Sequence, residues 1–303
     1  CVLRGRSFRG LTMNAELIVD ARNAVGECPV WVPEENALYW VDIPKGGLQR
    51  WSAASGHVAA WTAPQMLACI ARSEAGNWIA GMETGFFQLT PHNDGSLDTT
   101  PLAAVEHPRQ DMRLNDGRCD RQGRFWAGSM VLNMGLNAAE GTLYRYAAGA
   151  APHAQLNGFI TLNGLAFSPD GRTMYASDSH PLVQQIWAFD YDIDTGTPSN
   201  RRVFVDMHKH LGRPDGAAVD ADGCYWICAN DAGLIHRFTP DGRLDRSLTV
   251  PVKKPTMCAF GGSRLDTLFV TSIRDDQSEQ SLSGGVFALN PGVVGLPEPT
   301  FTL

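Results

Sequence analysis

Asp120-Arg121-Gln122-Gly123-Arg124-Phe125-Trp126-Ala127-Gly128-Ser129-Met130 is the stretch whose reading decides the fold. A four-residue polar turn ends in glycine, and an aromatic-rich run follows. Gly supplies the positive φ that such turns need, and Asp favours their start. Phe and Trp in a short run bounded by turn residues favour a strand. The pattern recurs. Ser73-Glu74-Ala75-Gly76 precedes Trp78-Ile79-Ala80, Ser168-Pro169-Asp170-Gly171 precedes Met174-Tyr175-Ala176, and Asp220-Ala221-Asp222-Gly223 precedes Tyr225-Trp226-Ile227. Thr239-Pro240-Asp241-Gly242 is a further turn of this kind. Leu38-Tyr39-Trp40-Val41-Asp42 and Thr267-Leu268-Phe269-Val270 match as strands without the same turn.

Trp40, Trp78, Trp126, Tyr175, Trp226 and Leu268 stand 38, 48, 49, 51 and 42 residues apart. A period of roughly 40–50 residues is that of a propeller blade. Many units carry a further strand after a loop, such as Gly141-Thr142-Leu143-Tyr144-Arg145-Tyr146 or Gly285-Val286-Phe287-Ala288-Leu289. Convincing helical periodicity is absent. Residues 13–303 are therefore expected to form one all-β, six-bladed β-propeller. Ring closure should pair N- and C-terminal strands, since an open ring exposes sheet edges. Residues 1–12, with three Arg and no apolar core, do not resemble a secretory signal and are set apart as an N-terminal extension.

The chain has 303 residues, 44% apolar and 19% charged, with a net charge of −7. This composition excludes a disordered chain. An acidic chain without a Lys/Arg run is a poor partner for nucleic acid or an anionic membrane. The seven cysteines are odd in number and scattered, so a disulfide framework is not expected and a cytoplasmic setting fits best. Cys224 and Cys228 flank a strand-like run and read as buried thiols.

Counting back from the strand aromatics locates polar groups. Glu27 lies 13 before Trp40, Asn115 11 before Trp126, Asn163 12 before Tyr175 and Asp215 11 before Trp226. In the other two units the position falls near Leu67 and Thr256. Asn-Gly and Asp-Gly are turn formers, and for one residue alone that reading suffices. Recurrence in four units favours a site. Equivalent positions in a propeller lie at one height around the axis, so four oxygen-bearing side chains would converge there. Two buried carboxylates repel, and a bound cation removes that cost. Oxygen donors suit Ca²⁺, Mg²⁺ or Mn²⁺, with Zn²⁺ also open.

Gly26-Glu27-Cys28-Pro29-Val30-Trp31, Arg113-Leu114-Asn115-Asp116-Gly117, Gly123-Arg124-Phe125-Trp126-Ala127-Gly128-Ser129-Met130, Asn163-Gly164-Leu165, Pro214-Asp215-Gly216 and Cys258-Ala259-Phe260-Gly261-Gly262 resemble the regucalcin/gluconolactonase family of metal-dependent sugar lactonases. The resemblance implies a six-bladed propeller with one catalytic divalent metal held by Glu27, Asn163 and Asp215. It implies substrate contacts from Arg113 and Asn115. Cys28 departs from the pattern, since the family usually has Gly there. Glu140, directly before Gly141, is a further substrate candidate. Asp215 is the candidate general base for hydrolysis of an aldonolactone in carbohydrate catabolism. The expected partner is a small sugar lactone, with the protein a monomer or weak homo-oligomer.

Other signals are weaker. Asp190-Tyr191-Asp192-Ile193-Asp194-Thr195-Gly196 resembles a calcium-binding EF-hand loop but has Thr195 at the sixth position and Arg201 at the twelfth, which favours a polar hairpin. His208-Lys209-His210 lacks a third ligand nearby, and His180 is a candidate mouth residue. No Gly-x-Ser-x-Gly elbow, Walker loop or Rossmann fingerprint occurs. Competing readings are a propeller esterase or phosphotriesterase and a non-enzymatic scaffold or calcium-binding protein. A scaffold needs no inward carboxylates, and calcium buffering needs more than one site.

Overall fold

The computed structural model describes residues 15–275 and 282–302. The extension at residues 1–12 lies outside them. Six four-stranded antiparallel sheets form the expected propeller. The inner strands are Gly26–Val32, Leu67–Arg72, Met112–Cys119, Leu162–Phe167, Arg213–Val219 and Pro255–Gly261. The sixth blade is closed as expected: Glu16–Val19 becomes its outermost strand, antiparallel to Val286–Leu289. Among the described residues no helix is long and apolar enough to cross a membrane.

The six residues used to find the period all lie in the second strand of a blade and are buried. The tryptophans Trp126 and Trp226 pack between blades. Trp126 meets Phe167 and Tyr191 of the next blade, with ring centroids 6.1 and 5.8 Å away, and Trp226 meets Phe260 at 6.0 Å. Each large ring thus removes apolar surface on two sheets from water, and this is the main cohesion of the ring of blades.

The turn aspartates explain why turn and tryptophan travel together in the sequence. Asp120 Oδ1 accepts the backbone N–H groups of Gln122 and Arg124, and its Oδ2 accepts the Trp126 indole at 3.2 Å, Arg124 Nε at 2.6 Å and the Tyr191 hydroxyl. Asp220 does the same for Asp222, Cys224, Trp226 and Arg237. One carboxylate closes the turn and satisfies the buried indole of the following strand.

These hairpins define the lower face. The C-terminal segment crosses it: Ala221 N donates to Val294 O and Phe301 N to Arg72 O. Glu298 approaches Arg118 at 3.5 Å beneath the axis. The Asp190–Gly196 segment is a hairpin, as expected. The carbonyls of Ile193 and Asp194 accept Arg124, and those of Thr195 and Gly196 accept Arg145, so guanidinium groups fill the loop. Cys224 and Cys228 are free and buried.

Candidate functional site

All four polar positions found by counting lie on inner strands, toward their N-terminal ends. The strand register shifts beside each of them: between Glu27 and Val30, Leu114 and Gly117, Asn163 and Ala166, and Pro214 and Ala217. Such bulges redirect side chains. The Asn-Gly and Asp-Gly pairs are therefore bulge formers inside strands, not hairpin turns. Gly164 has φ 60°, and a Cβ there would come within 2.5 Å of the Ser177 and Tyr225 hydroxyls. Cys28, where the resembling family has Gly, also takes a left-handed φ of 48°. Its thiol is not at the mouth. It packs against Ile70, whose N–H lies 3.2 Å from the sulfur, and burial pushes its pKa well up.

A relay of hydrogen bonds fixes the amides. Arg113 donates to Asn115 Oδ1 at 2.7 Å. Asn115 Nδ2 donates to Leu162 O at 2.8 Å and Asn163 Oδ1 at 3.1 Å, and Asn163 Nδ2 donates to Ser179 Oγ at 2.6 Å. Each amide has its orientation set by its neighbour. Asn163 Oδ1 accepts one bond and retains a lone pair for a further contact.

The two carboxylates differ from those of the lower face. Burial, then the nearby Asp215 and Asp116 charges, hold Glu27 well above the usual carboxylate range. Burial pushes Asp215 up to about 7, against the opposing effects of its Asn230 hydrogen bond and the Arg213 charge. Desolvation brings Arg113 down to about 10 although Glu27 and Asp215 act to raise it, so it stays cationic at neutral pH.

Sequence reasoning did not single out several neighbours. Asp116 is buried: its Oδ2 accepts Leu165 N at 2.8 Å, while Oδ1 has no partner. Asn230 donates to Asp215 Oδ2 at 2.7 Å. Asp231 binds Arg213 at 2.7 Å and Lys254 at 2.8 Å. Asp116 was visible in Asn115-Asp116-Gly117. Asn230 and Asp231, at the far end of a second strand, carry no repeat signal.

Two ring positions hold no ligand. Leu67 is fully buried, and the Thr256 hydroxyl binds Gly26 O and Thr271, locking the sixth blade to the first. Glu140 lies apart, on the rim, facing Arg109 at 3.8 Å with its side chain 41% exposed. His180 is buried beneath the rim, its Nε2 at 3.3 Å from Met134 O. Lys209 and His208 lie in a short 3-10 turn, Met207–Lys209, with His210 just beyond it. A cavity of about 120 Å³ lies below the ring, lined by Cys28, Ile70, Arg118, Met257 and Glu298 among others.

Among the described residues no three His, Cys, Asp or Glu side chains gather as a ligand group. Any ion on the axis would need an amide oxygen beside the two carboxylates. The donors fit that role. They are all oxygen, two are buried carboxyl groups that oppose each other's ionisation, and buried Asp116 Oδ1 and Asn230 Oδ1 have no partner. Such a set suits hard divalent cations.

Residues 25–274 match the model of the SMP-30/gluconolactonase/LRE-like region. The chain is 38% identical to a 6-deoxy-6-sulfogluconolactonase of Pseudomonas putida, over 94% of this chain and 97% of that one. A luciferin-regenerating enzyme superposes with a TM-score of 0.89 at 27% identity, over 95% of this chain and 99% of that one. A calcium-binding protein, regucalcin, of Agrobacterium tumefaciens superposes with a TM-score of 0.86 at 27% identity, over 95% and 97%. With its fold, its ordered motifs and a family match over most of its length, the chain belongs to the SMP-30/gluconolactonase/LRE-like family.

Proposed function

We propose that this protein is a carboxylic-ester hydrolase that opens a sugar lactone, an aldonolactone, to its aldonic acid, using one divalent cation. The observation that supports the reading is that Glu27 and Asp215, on the inner strands of two blades, feel each other's charge, while Asn163 is linked through Asn115 to Arg113, which feels both carboxylates. These three residues would hold the cation. When bound, it would supply Lewis-acid polarisation of the lactone carbonyl.

The chain's own groups account for the rest. Arg113 and Asn115, locked together at 2.7 Å, present donors to ring hydroxyls or the carbonyl oxygen. Asp215 keeps one oxygen on Asn230 and has the other available to take a proton from an attacking water. Addition of that water oxygen to the carbonyl carbon and rupture of the ring C–O bond, with the proton passed from Asp215 to the departing ring oxygen, give a hydroxyl and a carboxylic acid that loses its own proton to solvent. Glu140 stands farther out, where it could touch a substrate's distal hydroxyl. Oxygen-only donors favour Ca²⁺, Mg²⁺ or Mn²⁺ over Zn²⁺. A place in carbohydrate catabolism accords with such a substrate.

The test is a pH-indicator screen of aldonolactones with chelator-stripped protein reloaded with single metals. Acid release that returns with a divalent ion is expected. No metal-dependent release from any aldonolactone overturns the reading.

A further inference from the structure

The upper end of the second strand of the fifth blade is built differently from those of the first and fourth. In the first and fourth blades the strand ends in an aspartate spent on the backbone of the incoming inner strand. Asp42 accepts Ala24 and Val25 N–H, and Asp178 accepts Ile160 and Thr161 N–H. In the fifth blade, Tyr225–Asn230 ends in an amide that binds a side chain on the axis. Asn230 is 3% exposed, and its Nδ2 donates to Asp215 Oδ2 at 2.7 Å. Its Oδ1 is buried and has no partner. Leaving a buried amide oxygen unpaired is unfavourable. The orientation persists because a carboxylate accepts only, so the amide must turn its donating end toward Asp215.

The next residue holds this arrangement. Asp231 adopts a left-handed φ of 72° and clamps Arg213 and Lys254, from the adjoining inner-strand entries. Arg213 also donates to Ser179 O at 3.3 Å. The strand end that carries Asn230 is therefore pinned on both sides.

We infer that Asn230 is a positioning residue: by holding Asp215 Oδ2 it leaves only Oδ1 for the cation and for the attacking water. This rests on the lactonase reading above. Without Asn230, Asp215 would be free to rotate, and Oδ1 would no longer be held toward the ion and the water. Outer hydrogen-bond partners of metal-binding side chains typically change metal affinity about 10–100-fold.

Three measurements test it. In stripped protein selectively labelled at Asn side-chain nitrogen, the NH2 resonance assigned by its loss in Asn230→Ala should shift in Asp215→Ala. Calorimetric titration with Ca²⁺ or Mn²⁺ should show about 10-fold weaker binding by Asn230→Ala. At saturating metal that variant should lose kcat while KM moves little, and Asn230→Ser, which keeps a shorter donor, should recover part of the loss. An Asn230 resonance indifferent to Asp215→Ala overturns the inference. So do unchanged metal affinity and kcat in an Asn230→Ala protein whose melting temperature alone falls. Wild-type protein that binds no divalent ion overturns the metal-dependent reading as well, whereas tight metal binding that ignores Asn230 overturns this inference alone.

Discussion

Asp215 lies near the start of the inner strand Arg213–Val219 and Asp220 directly follows its end, and the fold treats them in opposite ways. Asp220, fully buried on the lower face, has both oxygens filled by backbone N–H groups, the Trp226 indole and the Arg237 guanidinium. Asp215, near the upper end, is almost as buried but has one amide partner and the opposing Glu27, Asp116 and Asp231 carboxylates nearby. The lower aspartate has no capacity left for a ligand; the upper one does. Within a repeat, polar residues whose hydrogen bonding is complete serve the fold, and those left incomplete mark the chemistry.

The largest expected effect separates the two. Asp215→Ala should lower kcat/KM at least about 10³-fold, within the range for loss of a general base. Its metal-free melting temperature should hold or rise, because a repelling buried carboxylate is gone. Asp220→Ala should cost about 3 kcal/mol of stability by leaving Trp226 and Arg237 without their shared acceptor. Its activity per folded molecule should persist. Calorimetry and the lactonase assay on both variants check this, and an exchange of the two phenotypes would break the comparison.

A second expected effect is on metal affinity. Glu27→Gln keeps shape and removes one ring charge, so calorimetric titration should show binding weakened by roughly 10–100-fold. Equal affinity in the variant would mean that Glu27 does not face the ion.

The pH dependence sharpens the same contrast. Burial pushes the Asp215 carboxyl of the folded protein up to about 7, above the roughly 3.9 of an unfolded aspartate. Glu27 is shifted in the same direction. A raised folded pKa means that the native state binds the proton more tightly. The stability this brings is complete below about 4 and is lost as pH rises through about 7. Stripped wild-type protein should therefore lose melting temperature relative to Asp215→Asn between pH 4.5 and 8. Added metal should reverse the trend, since it binds the ionised forms and stabilises more at high pH. A flat difference between the two proteins would show that Asp215 is not strained by its surroundings.

The fold was legible because a propeller repeats its turns and its inter-blade aromatics, so weak local signals add. The ring was legible for the same reason: Glu27, Asn115, Asn163 and Asp215 keep nearly one distance from the strand aromatic. The bulges were not, because Asn-Gly and Asp-Gly serve turns and bulges alike. Cys28 shows the same ambiguity. Where the resembling family has Gly, it holds a left-handed backbone position whose amide N–H donates to Glu27 Oε2 at 3.2 Å. Asn230 and Asp231 occur in one blade only. Their meaning comes from which side chains the fold brings to them, and periodicity cannot carry that.

The smallest effect concerns the rim. Glu140, directly before Gly141 in the sequence, stands where water competes for it. Its one ion pair, 3.8 Å from Arg109, is part of a half-exposed group in which Asp111 already binds the same guanidinium. Exposed pairs of this kind contribute about 0.2–1 kcal/mol. Glu140→Gln should accordingly change kcat/KM less than about five-fold, entirely through KM, and leave metal affinity alone. Arg113→Ala, which frees Asn115 and through it Asn163, should disturb both. If Glu140→Gln instead lowers kcat as far as Asp215→Ala does, the rim must close over the axis during turnover, and the boundary between reacting centre and surface would have to be drawn farther out.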